Sequence, residues 1–313
     1  MTLFFAELIA PFAETAFYRD HLGKTPLHVE GGADKFKSIM SWETLTALVN
    51  QAGIWTSASL LLVLDREPVA PAKYCFPGVT REGRQGLLVD LDKVGEFLKR
   101  GATIVLNDME TLTSELSAVA AALENGPGGM VQGNLYCSRK ERQGFASHFD
   151  THDVYAVHIA GEKTWRIYQR HFDSPINHPA FKTLGQAFHE SHKGAISQEV
   201  TLEPGDLLYI PRGYYHDAVA LTPGTIHIAF QVVPMIGLDV VTQLFERAVH
   251  DVLFRKSMPP VGERGGKAVE DHVEALAKRL GELGRDPAFV GRIKEAMRTY
   301  RFRRSRLKLP IDS

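Results

Sequence analysis

Residues 147–165 read SHFDTHDVYAVHIAGEKTW. His148, Asp150, His152 and Asp153 fall within six positions and lead into the apolar run VYAVHIA. Four polar, metal-capable side chains at the mouth of a buried strand are costly unless something binds them. On a strand, residues i and i+2 project from the same face. His148 and Asp150 can therefore present an imidazole and a carboxylate to one metal ion. His152 keeps the same spacing, but a fourth protein ligand would fill a position that the chemistry of a bound ion needs open. It is expected to orient Asp150 or shape the entrance, and Asp153 to bond backbone or Arg212.

The surroundings of this stretch are β in character. From Met130 to Val233 short runs alternate apolar and polar residues: VQGNLYCS, VYAVHIAG, KTWRIYQ, ISQEVTLEPGD, LLYIPRG, DAVALTPG and TIHIAFQVV. Pro204-Gly205-Asp206 and Thr222-Pro223-Gly224 punctuate them as turns. Regular short strands joined by such turns predict an all-β sandwich or barrel.

A third ligand has to come from elsewhere in the chain, and EPGDLLYIPRGYYHDA (203–218) supplies His216. Pro211-Arg212-Gly213 bend the chain, and the next strand opens Tyr-Tyr-His, opposite His148 in a small barrel. Two histidines and one carboxylate leave three positions open and suit non-haem Fe(II) that activates O₂. Lys163 follows the turn Ala160-Gly161-Glu162, at the start of a strand expected to pair back on the His-x-Asp strand. An inward lysine there needs an anion. A dicarboxylate co-substrate chelating the iron at one end would supply it.

The flanks are helical or mixed. Helices are predicted over 3–20, over SWETLTALVNQAG with Ser41 as cap and Gly53 past the end, over 90–101 and over 113–125. SLLLVLD (59–65) and GATIVLND (101–108) are buried-strand candidates. Beyond Pro234 the apolar period becomes helical over 238–254 and over VEDHVEALAKRLGELG, and Asp286-Pro287 start a third helix. Two regions result: 1–234, with the β core at about 130–234, and a helical segment 235–313.

Bulk composition narrows the partners. A net charge of −1 over 313 residues favours no acidic or basic macromolecule. The local exception is MRTYRFRRSRLK (297–308), six of whose twelve residues are basic; it is the one stretch suited to nucleic acid, and is expected to be a solvated tail. Two cysteines, Cys75 and Cys137, without CxxC spacing fit a reducing cytoplasm. The apolar N-terminus lacks a basic start and carries Glu7 and Glu14, which reads as an amphipathic helix and not a signal peptide. No apolar run reaches the roughly 18 residues of a membrane span.

The chain resembles the JmjC/cupin-type Fe(II)- and 2-oxoglutarate-dependent oxygenases, closest to the bacterial cupin branch that includes the ribosomal oxygenases. The resemblance rests on NLYCS (134–138), QGFASHFDTHDVYAVHIAGEKTWRIY (143–168), GDLLYIPRGYYHDA (205–218) and TIHIAFQV (225–232), and extends over roughly 15–235. It implies a mainly β protein with flanking helices, built on a double-stranded β-helix (cupin or jelly-roll) core. It implies His148, Asp150 and His216 as iron ligands and Lys163 as the partner of the far carboxylate of 2-oxoglutarate. Asn134 and Tyr136 match the family's Asn-x-Tyr strand, with Tyr136 placed to hydrogen-bond the same carboxylate, and His227 matches a histidine of the late strand. Gln231 joins them as a candidate for the pocket floor. His158 stands where many relatives carry glutamine, and Ala229 where many carry a small hydroxyl residue. His189 and His192 are expected on a solvated loop near the entrance.

The implied activity is hydroxylation of a C–H bond, foremost on a protein or peptide side chain, with a small-molecule substrate as alternative. A metal-dependent cupin isomerase or dioxygenase without 2-oxoglutarate, or an inactive cupin scaffold, are the rival classes. The helices after 238 are expected to build a homodimer interface, as in ribosomal oxygenases; the tail is too short for a complete winged helix as well.

Overall fold

A computed structural model of the chain describes residues 2–51, 53–138 and 145–304. Gln143 and Gly144 of the family-like stretch, and 305–308 of the basic run, lie outside the described residues. The described chain forms two compact units, one ending at Val233 but including Phe302–Arg304, the other Pro234–Arg301.

The first unit is built on an antiparallel sheet of eight strands. From edge to edge these are β1 (Leu27–Val29), β11 (Leu207–Ile210), β8 (Asp153–Ala160), β13 (Thr225–Val233), β7 (Met130–Ser138), β6 (Thr103–Leu106), β2 (Leu60–Leu64) and β3 (Glu67–Pro68). A second sheet holds β10 (Ile196–Leu202), β9 (Lys163–His171) and β12 (Tyr214–Ala220), in that order. A separate hairpin pairs β4 (Cys75–Val79) with β5 (Gln85–Val89). Two facing antiparallel sheets of this order make the jelly-roll core with flanking helices.

Strand β8 is apolar without alternation because both its faces are buried. Val154 and Ala156 pack with Trp165, Ile167, Val200 and Leu202 of the second sheet. Tyr155 and Val157 face the larger core, with Phe5, Leu8 and Phe17 of the N-terminal segment and Leu116, Val119 and Leu123 of helix α5 (Ser114–Asn125). Burying one such side chain contributes about 1.5–3 kcal/mol, so the inter-sheet layer holds both sheets around whatever lies between them.

Several helix ends follow local chemistry. Ser41 accepts from Thr44 N to cap α3 (Trp42–Val49), Asp90 caps α4 (Leu91–Lys99), and Thr113 caps α5. The single helix expected over 3–20 is instead α1 (Phe5–Ile9), α2 (Glu14–Ala16) and a π-turn at Phe17–His21. Pro11 has no N–H to continue the ladder and separates them.

Lys163 needs a further correction. Its strand does not pair back on the strand leading from Asp150. It crosses to the second sheet, where Lys163 stands opposite Ala220 of β12 and Leu202 of β10. The crossover turns at Gly161 (φ +72°), where a Cβ would lie 2.2 Å from the carbonyl oxygen of Gly224. Only glycine tolerates both that conformation and that approach.

The insertion between β9 and β10 carries α6 (Pro179–Lys182) and α7 (Gln186–His192). The second unit consists of α8 (Gly237–Ala248), α9 (Val252–Arg255), α10 (Lys267–Arg285) and α11 (Pro287–Thr299). The helix expected over 238–254 ends at Ala248 because Asp251 caps a new turn, accepting from Leu253 N. Asp286 caps α11 with Pro287 at its first position. Phe302–Arg304 group with the first unit and not with these helices, because the Arg304 guanidinium donates to both carboxylate oxygens of Glu124 and lies 3.8 Å from Glu110. Among the described residues no helix is long and apolar enough to cross a membrane.

Candidate active site

His148 and Asp150 lie just before β8, and His148 is held in register by an isolated bridge to His216 of β12. His148 N donates to His216 O at 3.1 Å, and His216 N returns the bond to His148 O at 2.8 Å. The expected opposition of the two histidines is thus a main-chain pairing, although the segment carrying His148 and Asp150 is a bridge and not a full strand. One ligand atom from each of His148, Asp150 and His216 falls within 4.8 Å of the others. Asp150 Oδ2 is 3.5 Å from His216 Nε2, and Asp150 Oδ1 is 4.0 Å from His148 Nε2.

The tautomers are fixed by backbone. His148 Nδ1 sits 2.8 Å from Ala146 O and His216 Nδ1 3.0 Å from Tyr214 O. A carbonyl only accepts, so each Nδ1 carries the proton and each Nε2 keeps its lone pair for the centre of the cluster. Burial, with His148 nearby, pushes His216 down to about 4, so its imidazole is neutral at neutral pH. Burial works to raise the Asp150 carboxyl, but His152, His148 and His216 around it outweigh that and its net shift is downward. Two imidazoles and a carboxylate form a donor set that fits a divalent transition metal of the iron type.

His152 stands beside this group, its Nε2 3.9 Å from Asp150 Oδ1, outside the three-residue cluster. Asp153 turns away: it accepts from Arg212 N and from the Tyr209 hydroxyl.

The cluster opens on a cavity between the two sheets. Tyr136, Lys163, His227 and Gln231 all line it with the ligand cluster. Lys163 is 5% exposed, and among the described residues no carboxylate or hydrogen-bond acceptor meets its ammonium. Burial pushes it down to about 7. Burial and the nearby Asp150 push the Tyr136 hydroxyl up. His227 stacks on Tyr136 with ring centroids 4.8 Å apart, and His158 lies parallel to His227 at 6.4 Å. Burial pushes His158 down to about 4, and His227 well below its ordinary value. Among the described residues, Trp165 Nε1, His227 Nδ1 and His158 Nδ1 are buried without a partner. A cavity that combines a buried lysine, its ammonium 5.8 Å from the Trp165 ring centroid, with an unsatisfied indole N–H suits a small anion that accepts.

Asn134 is not among the lining residues; its side-chain oxygen accepts from Asp108 N. Thr103, Ser138 and Phe145 line the cavity without having been singled out in the sequence. Thr103 reaches it from β6, and its hydroxyl donates to Ser138 Oγ at 3.3 Å. His189 and His192 lie on α7, with His189 packed on Phe149.

A jelly-roll with two histidines and an aspartate at its mouth and a basic residue deep between its sheets defines the cupin class. Residues 109–236 match the JmjC domain, and the chain is similar to the ribosomal oxygenases. It is 26% identical to Ribosomal oxygenase 1 of Danio rerio, with 82% of this chain and 46% of the relative covered. It is 27% identical to the bifunctional lysine-specific demethylase and histidyl-hydroxylase NO66 of Dictyostelium discoideum, with 89% and 56% covered. The chain thus spans about half the length of the curated relatives it matches. Its fold matches YcfD, a ribosomal oxygenase from Escherichia coli solved with cobalt and 2-oxoglutarate. That match has a TM-score of 0.60 and 14% identity, over 92% of this chain and 71% of the other.

Proposed function

We propose that this protein is an Fe(II)- and 2-oxoglutarate-dependent oxygenase that hydroxylates a side chain of a protein substrate. The observation that carries the reading is the His148, Asp150 and His216 cluster opening on the same cavity as the buried Lys163, which forms no ion pair with a carboxylate among the described residues. The names of the relatives, ribosomal oxygenase and histidyl-hydroxylase, support a protein side chain as the target.

In this reading His148 and His216 bind through Nε2 and Asp150 through a carboxylate oxygen. The bound iron, with 2-oxoglutarate and O₂, supplies the oxidising chemistry that turns C–H into C–OH with release of succinate and CO₂. Lys163 receives the distal carboxylate of 2-oxoglutarate, an ion pair strengthened by the low dielectric between the sheets. The Tyr136 hydroxyl, kept protonated by burial, donates to the same carboxylate. His227 and Gln231 bound the co-substrate, and the stacked Tyr136–His227 pair keeps its wall rigid. Asn134 acts one step back, by holding the chain at Asp108.

Anaerobic addition of Fe(II) and then 2-oxoglutarate, followed by visible absorption, tests the assignment. A charge-transfer band appearing only with both, and succinate release on admitting air, is the expected result. No band and no 2-oxoglutarate consumption would leave the isomerase or scaffold classes.

For the second unit, homodimerisation is the companion proposal. Leu238, Val241 and Phe245 are exposed at helical spacing along α8, and Val249 and Val252 are exposed just beyond its end. A second copy of the same face would cover this stripe. The low cysteine count, without a CxxC pair, supports a reducing compartment such as the cytoplasm.

A further inference from the structure

Helix α7, in the insertion between β9 and β10, is bound to the chain on both sides of the His148–His216 pair. Gln186 Nε2 donates to Ser147 O at 3.0 Å and to Glu190 Oε1 at 2.9 Å. The Ser147 hydroxyl donates to Glu190 Oε1 at 2.7 Å. The Lys193 ammonium, just past the helix, pairs with Glu190 Oε2 at 2.6 Å and donates to Ser147 Oγ at 3.0 Å and to the Tyr168 hydroxyl at 3.4 Å. Its three N–H donors thus have three partners. Tyr168 in turn donates to Asp217 Oδ2 at 2.5 Å. One hydrogen-bonded chain runs from Ser147, the residue before His148, to Asp217, the residue after His216.

The remaining neighbours of the two histidines meet the same helix. Phe149 and Tyr215 pack edge-to-face at 5.3 Å, and the His189 ring lies 5.3 Å from the first and 5.8 Å from the second. Extended-chain alternation explains the arrangement: His148, Asp150 and His216 converge on one side, and Ser147, Phe149 and Tyr215 are left for the other.

We infer that α7 is a positioning element for the metal centre, with Lys193 as the residue that ties the two ligand-bearing segments together and fixes the separation of His148 and His216. This rests on the reading of that cluster as a metal site. Lys193 touches neither metal nor substrate in this arrangement and acts only through Ser147 and Tyr168. Outer partners that orient metal ligands affect affinity by 10–100-fold in general.

The test uses Co(II) as probe on the full chain, reading its dissociation constant and its visible d–d spectrum. Lys193→Met and Tyr168→Phe are each expected to weaken Co(II) binding about tenfold and to change the shape of the d–d band. The KM for 2-oxoglutarate is expected to shift by no more than about twofold, since Lys163 is untouched. Circular dichroism establishes folding, and Tyr168→Phe, which deletes one oxygen atom, carries the test should Lys193→Met not fold. Wild-type affinity and an unchanged spectrum in the folded variants would overturn the inference. If instead the wild type binds no Co(II), or His148→Ala binds it equally well, the metal-site reading itself fails, which is a separate outcome.

Discussion

His148 and His216 exchange both of their main-chain hydrogen bonds, at 3.1 and 2.8 Å, so backbone pairing brings the two imidazoles opposite one another. The Nδ1–H of each ring is spent on a carbonyl of its own segment, at Ala146 and Tyr214. The two Nε2 atoms are preorganised beside Asp150 before any ion arrives.

It follows that replacing a ligand removes metal without undoing the fold. Asp150→Ala and His216→Ala should each weaken Fe(II) or Co(II) binding by more than about 100-fold, beyond what loss of an outer partner causes. Far-ultraviolet circular dichroism should not change. Titration calorimetry on both variants measures the first effect.

Lys163 predicts a pH dependence of co-substrate affinity. Its amine is pushed down to about 7, so it is charged below that pH and neutral above it. The affinity for 2-oxoglutarate should be highest below about pH 7 and decline above it, and Lys163→Met should flatten that profile. Metal affinity should be retained in the variant. Steady-state KM for 2-oxoglutarate between pH 6 and 9, in wild type and variant, checks both.

The same lysine makes a statement about stability. Its folded value lies below the 10.5 of the unfolded chain, so the unfolded state binds more protons between the two values. Stability without ligand should rise as pH rises from about 7 towards 10.5, and the penalty should be complete below 7. Lys163→Met should raise stability at pH 6.5 more than at pH 9.5, as read by urea denaturation.

Arg304 donates to Glu124 at 3.0 Å and to the carbonyl of Val131, with Glu110 3.8 Å away. Arg304→Met would leave buried carboxylates without a cation. Breaking such a buried pair from one side costs about 3–5 kcal/mol, and urea unfolding of the variant should show that loss. The double variant Arg304→Met/Glu124→Gln should recover part of it.

Phe245 is the most exposed residue of the α8 stripe, at 64%. If a second copy covers that face, Phe245→Glu should convert a dimer to a monomer in light scattering. Uncoupled succinate production per chain should stay within about twofold. A wild type that is already monomeric would remove the dimer proposal.

The legible parts of this fold were those coded locally. The period-two runs from Met130 to Val233, the caps Ser41 and Asp286, and the Pro211-Arg212-Gly213 bend before His216 each carry their signal within a few residues. Sheet membership was not legible, because a hairpin-like sequence such as AGEK can either fold back or cross over. The crossover at Gly161 is decided by its packing on the turn at Gly224, far along the chain. Thr103 escaped notice for the same reason: β6 reaches the cavity only through its pairing with β7. The hairpin Cys75–Val79 with Gln85–Val89 was masked by Pro77, Gly78 and Gly86, which break the apolar alternation. Arg304 lies 180 positions from Glu124, and no periodicity announces such a pair.

The anchoring of Arg304 has a practical consequence for dissecting the molecule. A fragment that stops at the last β-strand would lack the only described cation that sits on Glu124, and would be handicapped for reasons unrelated to catalysis. Anyone wishing to isolate the jelly-roll from the helices should return residues 302–304 to it, spliced through a flexible linker or added as a peptide.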